Sequence, residues 1–475
     1  MKSPMLPHLT WVGLCIAACM TLVACKKHVG SETPSPEAPA LTRLDWNLKT
    51  MVNAYQKAGH TNPKWDEPAE RALTEFARAR SQSTVSNEAW RTIISNNCLN
   101  AVNAGCDDPM IRYLFIRQCM DQNASKKAFF DAYCKAAMDL EQSSYPNIRK
   151  FYAWERTSQQ VAYTYGYGTN IPGEVRRLPI WQDEQANLQA ALSDGTMPPD
   201  EVYDICHDFL EDWRGDPDHY DALYHAMEGG FFENWKKSPV MLLLKGEAYI
   251  EMAWHARGGG YANTVTSDGW KLFSQRLAVA EKALTAAWES NTNDPRIAVK
   301  MITLELGQGK GRDRMELWFR RAMALDPNDY DACAAKVFYL EPKWYGSTQD
   351  MLAFGRECVQ NKHWGGHVPL ILRDAHVSIQ RQYVEGLEKT NYWKQHEVWL
   401  DLKSAFDRFF ELNPEEISWY HNYAWYAYQA GDWAALNTSI PKLGPVNYDF
   451  FGGKDEFEKM VAQAKEHAGQ TKAKE

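Results

Sequence analysis

The chain has 475 residues, with 52 Lys and Arg against 61 Asp and Glu, a formal net charge of −9 and 45% hydrophobic residues. That balance disfavours nucleic-acid binding, which needs Lys and Arg concentrated on one surface. The length is enough for large cores, and a helical repeat array of this size holds about a dozen hairpins.

Residues 1–24 carry one early cation, Lys2, and then an apolar run from Leu9 to Ala24. About sixteen residues fall short of the roughly 20 that a membrane span needs and suit a secretory signal. The run ends in Leu22-Val23-Ala24-Cys25, which resembles the cleavage box of bacterial lipoproteins. The resemblance implies that residues 1–24 are removed and that Cys25 is lipidated and heads the mature chain. An uncleaved anchor or an ordinary signal peptide is the alternative. Lys26 and Lys27 follow, and no acid stands where inner-membrane retention is usually specified. This implies a bacterial cell envelope location, lipid-anchored, with the outer membrane favoured over the inner. Within 25–42, Gly30–Pro39 is rich in Pro and Ser and reads as a semi-extended tether.

From Arg43 onward almost every segment has helical periodicity, and alternation of the strand type is missing, so the chain reads as all-α. A first array spans 43–165, with helices expected at Leu44–Ala58, Glu67–Arg80, Asn87–Ala104, Pro109–Met120, Lys126–Leu140 and Ile148–Thr164. The stretch 166–237 opens on the loop GYGTNIPGEVRRLP, which is a domain boundary, a hinge or an insertion, with a structural loop the simplest reading. Helices resume at Asp183–Leu192, Pro199–Asp212 and His219–Met227, closed by Glu228-Gly229-Gly230. Residues 238–465 repeat a hairpin pattern, and 466–475 read as a disordered tail.

The hairpin is plainest at Arg296–Asp329. Val299, Ile302 and Leu306 share one helical face, and Met315, Phe319, Ala322 and Met323 share another. Trp318 and Leu325 remain on the back of the second helix, so the pair needs neighbours on both sides. Asp326-Pro327 stops it, because proline lacks the amide hydrogen and disfavours helix before it. A further copy holds Tyr420, Tyr423, Ala424 and Ala427 with the turn Gly431-Asp432-Trp433, its second helix cut short by Pro441. Another begins at Pro239, with Leu242, Gly246 and Tyr249.

These residues resemble the tetratricopeptide repeat, a helix-turn-helix unit of about 34 residues. The resemblance implies a right-handed α-solenoid whose first helices line a concave groove. Carried over residue by residue, the groove positions are Glu247 and Glu251, then Lys300 and Leu304, then His421, Trp425 and Tyr428. Such a groove, mixing acidic, basic and aromatic groups, suits a peptide segment.

Beyond Cys15, Cys19 and Cys25 an odd seven cysteines remain. An exported chain permits disulfides. In an antiparallel hairpin, residues equidistant from the turn face each other, which makes Cys333–Cys358 and Cys98–Cys119 disulfide candidates. Buried free cysteine is the alternative. His363 and His367 have metal-pair spacing, but the intervening glycines argue against a helix, so a loop-packing role is preferred and no metal site is expected. Glu251 and His255 are four apart, an acid/base pair or a surface ion pair. Lys310, Arg312, Arg314, Arg320 and Arg321 read as a solvated helix face. No local catalytic or cofactor motif occurs.

The leading expectation is a lipid-anchored scaffold for an envelope protein or peptide, with no cofactor and leaning away from an enzyme. Two alternatives are a surface glycan binder using exposed aromatics near Trp344, Trp364 or Trp425, and an all-helical hydrolase or lyase. Nineteen Trp and 23 Tyr are present, and at helical spacing most belong to the core.

Overall fold

A computed structural model of the chain describes residues 42–81, 88–120, 124–166, 170–230 and 235–472. The signal-like segment 1–24, Cys25 and the tether up to residue 41 lie outside the described residues. Among the described residues every regular element is helical. The all-α expectation therefore holds. The chain separates into two compact units, one ending at Gly269 and the other beginning at Trp270.

In the first unit, α1 (Arg43–Leu48) passes through a π-helical turn (Lys49–Asn53) into α2 (Ala54–Ala58). There follow α3 (Asp66–Ser81), α4 (Glu88–Asn103), α5 (Pro109–Cys119), α6 (Lys126–Glu141), α7 (Asn147–Tyr165), the short α8 (Gly173–Arg176) and α9 (Ile180–Ser193). The unit continues with α10 (Pro199–Trp213), α11 (Pro217–Gly230) and α12 (Pro239–Arg257). Helix starts are set locally. Thr42, Asp108 and Ser125 accept backbone N–H bonds at 2.9–3.1 Å from the first turns of α1, α5 and α6, each cap worth about 1 kcal/mol. Pro109, Pro199 and Pro239 occupy the first turn, where a missing N–H costs nothing. Neighbouring helices pack in pairs, among them α3 on α4, α6 on α7, α7 on α9 and α10 on α12, around a core that includes Met51, Tyr55, Leu73, Ile111, Leu114 and Trp154.

One buried ionic network ties α1, α3, α7 and α10 together. Glu201, on α10, accepts from Arg43 at 2.7 Å, from Arg80 at 3.0 Å and from the Tyr152 hydroxyl. Burial pushes its carboxyl up, but Arg80, Arg43 and Tyr152 more than offset this and hold it below the usual range. Arg149, 2% exposed, donates to Asn47 and Thr50 at 2.6 Å each. Burial drags its guanidinium down to about 10.

The second unit holds α13 (Ser267–Ser290, which begins just before it), α14 (Pro295–Gln308), α15 (Arg312–Leu325), α16 (Tyr330–Tyr339), α17 (Thr348–Gln360) and α18 (Ile371–Gln382). Then come α19 (Gly386–Asn391), α20 (His396–Leu412), α21 (Tyr420–Ala430), α22 (Trp433–Ser439) and α23 (Lys454–Lys472). Here too helices pack on near neighbours in sequence: α14 on α15 and α16, α17 on α18, α20 on α21, α22 on α23. Asp326 caps the end of α15 before Pro327, as the sequence indicates. Trp318 is buried edge-on to Trp288 at 5.3 Å, so a neighbouring helix covers that part of the hairpin's back, while Leu325 at the helix end stays exposed.

Between α14 and α15 the turn comes at Gly309, whose φ of +62° favours glycine. Two boundaries differ from the sequence reading. Glu228-Gly229-Gly230 is the last turn of α11 rather than its stop. The expected tail from residue 466 is instead helical as far as Lys472, because the α23 pattern that buries Phe457, Met460 and Ala464 carries the backbone onward.

Candidate functional site

The richest convergence of polar side chains in the first unit lies on α10, α11 and α12. Along α12, Glu247, Glu251 and His255 recur every four residues and so form one stripe. Facing them on α10 are Tyr203 and His207, also four apart, their rings stacked at 5.4 Å with an interplanar angle of 9°. The Tyr203 hydroxyl donates to Glu247 at 2.9 Å, and His207 Nδ1 lies 3.7 Å from the same carboxylate. One turn on, Glu251 pairs with Arg214 at 3.0 Å and with His255 Nε2 at 3.4 Å. His255 Nδ1 reaches Asp221 of α11 at 3.4 Å, its Nε2 meets the Arg214 carbonyl at 3.2 Å, and Tyr220 stands edge-on to the ring at 5.3 Å.

The electrostatics follow from that placement. Burial pulls the His255 imidazolium down, but Asp221 and Glu251 outweigh it and push the group up to about 9. Glu251 is pushed up by burial and drawn further down by His255 and Arg214, ending below the ordinary carboxyl range. At neutral pH His255 is therefore a held cation and Glu251 an anion. A general base needs to be neutral and poised near the working pH, so the pair acts as a charge clamp and hydrogen-bond donor rather than as acid/base machinery. The ion-pair alternative is the one the geometry supports.

In the second unit the transferred groove positions fare unevenly. Leu304 is fully buried, and since Ile297, Ala298, Met301 and Ile302 of the same helix are buried too, α14 is enclosed on most of its circumference; Leu304 lines no open groove. His421 is 8% exposed, and its nitrogens are committed to the Ser418 carbonyl at 3.1 Å and the Asn447 amide at 3.1 Å. It is a structural histidine. Lys300 is half-buried on α14. Trp425 and Tyr428 are half-buried on α21, Trp425 edge-on to Tyr426 at 5.0 Å and Tyr428 edge-on to Trp433 at 6.0 Å.

The proposed disulfides are not formed in the structure: all seven cysteines of the described residues are thiols. Cys119 instead donates to the Ser95 carbonyl at 3.4 Å. His367 pairs with Glu416 at 2.7 Å in a loop where Trp364 packs edge-on against Phe319 and Phe354. That is the packing role expected for the loop. Among the described residues no group of three or more His, Cys, Asp or Glu is placed to hold a metal ion, and no helix is long and apolar enough to cross a membrane. Of the basic run, Lys310 and Arg314 reach Glu281 at 2.6 and 3.3 Å, and Arg312 reaches Asp350 at 3.0 Å. They form a neutralised helix face.

Sequence reasoning missed two features. The α10 and α11 side of the polar stripe carries only a weak local signal, the four-residue spacing of Tyr203 and His207. The second is a buried chain in the second unit. His376, 2% exposed, meets the Tyr392 hydroxyl at 2.8 Å and Asp401 at 3.1 Å, while Arg356 holds Asp401 at 2.8 Å. Burial and Asp401 push the Tyr392 phenol well up, which makes it a poor nucleophile and its role a crosslink. These groups are far apart in sequence and meet only by packing.

No protein-family model matches the chain, and no curated protein matches it. The fold defines it as an all-helical protein, among the described residues, whose helices pack in neighbouring pairs.

Proposed function

We propose that this chain is a lipid-anchored scaffold that docks a segment of another envelope protein, with Cys25 acylated and the helical part, a right-handed α-solenoid, hung from that anchor. The observation that carries the reading is the packing of helices in sequence-neighbouring pairs in both units, the arrangement from which helical repeats make long surfaces. The polar stripe of Glu247, Glu251 and Arg214, and the half-buried Trp425 and Tyr428, supply the hydrogen-bonding and aromatic groups that peptide recognition uses. The Lys26-Lys27 pair after Cys25 favours the outer membrane.

The glycan reading asks for flat, open aromatic platforms. Trp364 is instead packed against Phe319 and Phe354, and Phe338 stands 6.0 Å from Trp344. The hydrolase reading asks for a free base beside convergent carboxylates, and His255 is held as a cation. Affinity capture from detergent-solubilised membranes tests the proposal. One stoichiometric protein partner is expected, and its recovery should fall when Trp425→Ala and Tyr428→Ala are combined. Recovery of no protein, with retention on a polysaccharide column, would replace the scaffold by the glycan binder.

A further inference from the structure

Helices α16 and α17 form a hairpin with Cys333 near the start of the first and Cys358 near the end of the second. Both side chains are fully buried. The Cys358 thiol lies within interaction range of Cys333, and Cys333 Sγ lies 3.7 Å from the Met323 thioether. Three polarisable sulfurs thus share one dry position between α15, α16 and α17. Next to them Lys336, one turn beyond Cys333, is buried with its ammonium 4.2 Å from the Phe319 ring centre and 4.4 Å from that of Phe354, and 2.8 Å from Glu316.

We infer that Cys333 and Cys358 are a matched pair that closes into a disulfide, locking α16 to α17, as the chain folds in the presence of a disulfide oxidant. The two thiols are buried on adjacent helices and interact with each other, the pairing that a bridge between the two helices requires. The chemistry balances as two exchanges. One thiolate attacks an external disulfide, forms a mixed disulfide and expels a thiolate; the second thiolate then attacks the chain's sulfur in that mixed disulfide, making the Sγ–Sγ bond and expelling the other. Two electrons pass from the chain's sulfurs to the external disulfide, and two protons are released. Burial, then the neighbouring Cys333, pushes the Cys358 thiol up, while the Lys336 ammonium favours its thiolate. Because both sulfurs are inaccessible in the packed hairpin, exchange occurs before α16 and α17 close, and in the folded reduced protein it is slow. Cys98 and Cys119 are a weaker pair, since Cys119 is engaged with the Ser95 carbonyl.

The occurrence of this crosslink in the cell rests on the exported reading above; its formation does not. The full chain is unfolded under reduction, refolded in a mixture of reduced and oxidised glutathione, alkylated in denaturant and digested without reductant. A single crosslinked peptide joining Cys333 to Cys358 is expected in more than half of the protein. Adding a phosphine reductant should then lower Tm by about 5 °C or more, the size expected for a closed loop of roughly 25 residues. Cys333→Ser combined with Cys358→Ser should abolish that reductant-dependent shift; if the double variant does not fold, the wild-type comparison still decides. Alkyl groups on both cysteines, or Cys333 joined to a different cysteine, would overturn the inference. Protein isolated from its own cells separates the two claims: a crosslink after refolding but free thiols in the cellular protein counts against export, not against the pair.

Discussion

Burial sets the charge of Glu184. Its side chain is 3% exposed on α9, and one carboxyl oxygen has no hydrogen-bond partner among the described residues. Desolvation, then the nearby Glu155, push the group up to about 8, against a hydrogen bond from Ser158. Between the unfolded value of roughly 4.3 and about 8, the unfolded chain has lost a proton that the folded chain keeps, so this residue lowers stability as pH rises. Glu184→Gln should therefore stabilise the protein at pH 7 by about 1–3 kcal/mol, with the gain fading towards pH 4, read from denaturant midpoints at the two pH values. His255 works with the opposite sense. Its folded value is raised to about 9, so its contribution is complete below roughly 6.5 and is lost as pH climbs through about 9. His255→Gln should cost about 1–3 kcal/mol at pH 6 and almost nothing at pH 10. An equal loss at both pH values would show a packing role instead. Glu184 looks like an ordinary polar helix position in the sequence, and for His255 the sequence showed only its four-residue spacing from Glu251, not the charge that Asp221 and Glu251 together impose.

At the scale of elements, α17 and α18 approach so closely that only a residue without a side chain fits at Gly355. A Cβ there would lie 2.8 Å from the Leu372 Cα, a backbone atom that cannot step aside. By helix propensity alone Gly355→Ala should stabilise by roughly 1 kcal/mol. The contact reverses the sign, and a destabilisation of about 1–3 kcal/mol is expected from overpacking, measured by chemical denaturation. Helix positions themselves were largely readable: Pro109, Pro199, Pro239 and Asp326-Pro327 mark starts and stops that the structure keeps. The interior face of α14 was only half readable. Its stripe of Val299, Ile302 and Leu306 is buried as expected, but Leu304 and Glu305 are buried as well, since neighbours come from more than one side.

For the whole molecule, the two compact units divide at Gly269 and Trp270, inside a helix rather than at the Gly- and Pro-rich loop after residue 165. A continuous helix gives no compositional break, so the boundary is silent in the sequence. The anchor proposal is tested at this scale. In a bacterial host with lipoprotein processing, the wild-type chain should partition into the detergent phase and incorporate labelled fatty acid. Cys25→Ser should move it to the aqueous phase without changing the far-UV circular dichroism of the folded part. Unchanged partitioning of the variant would mean that Cys25 is not the attachment point.

The sequence by itself determined the helical class, most helix limits and the stripes that must be covered, because periodicity, caps and prolines act within a few residues of chain. It also supplied one side of the polar site, Glu247, Glu251 and His255, since a four-residue spacing is local. Only the tertiary structure decided the other side, Tyr203, His207, Arg214 and Asp221, and the charge state their approach imposes. It likewise decided that Leu304 and His421 are enclosed and that Cys333 meets Cys358 as a thiol. Desolvation and ion pairing depend on which distant residues come within a few ångströms, and that is settled by packing.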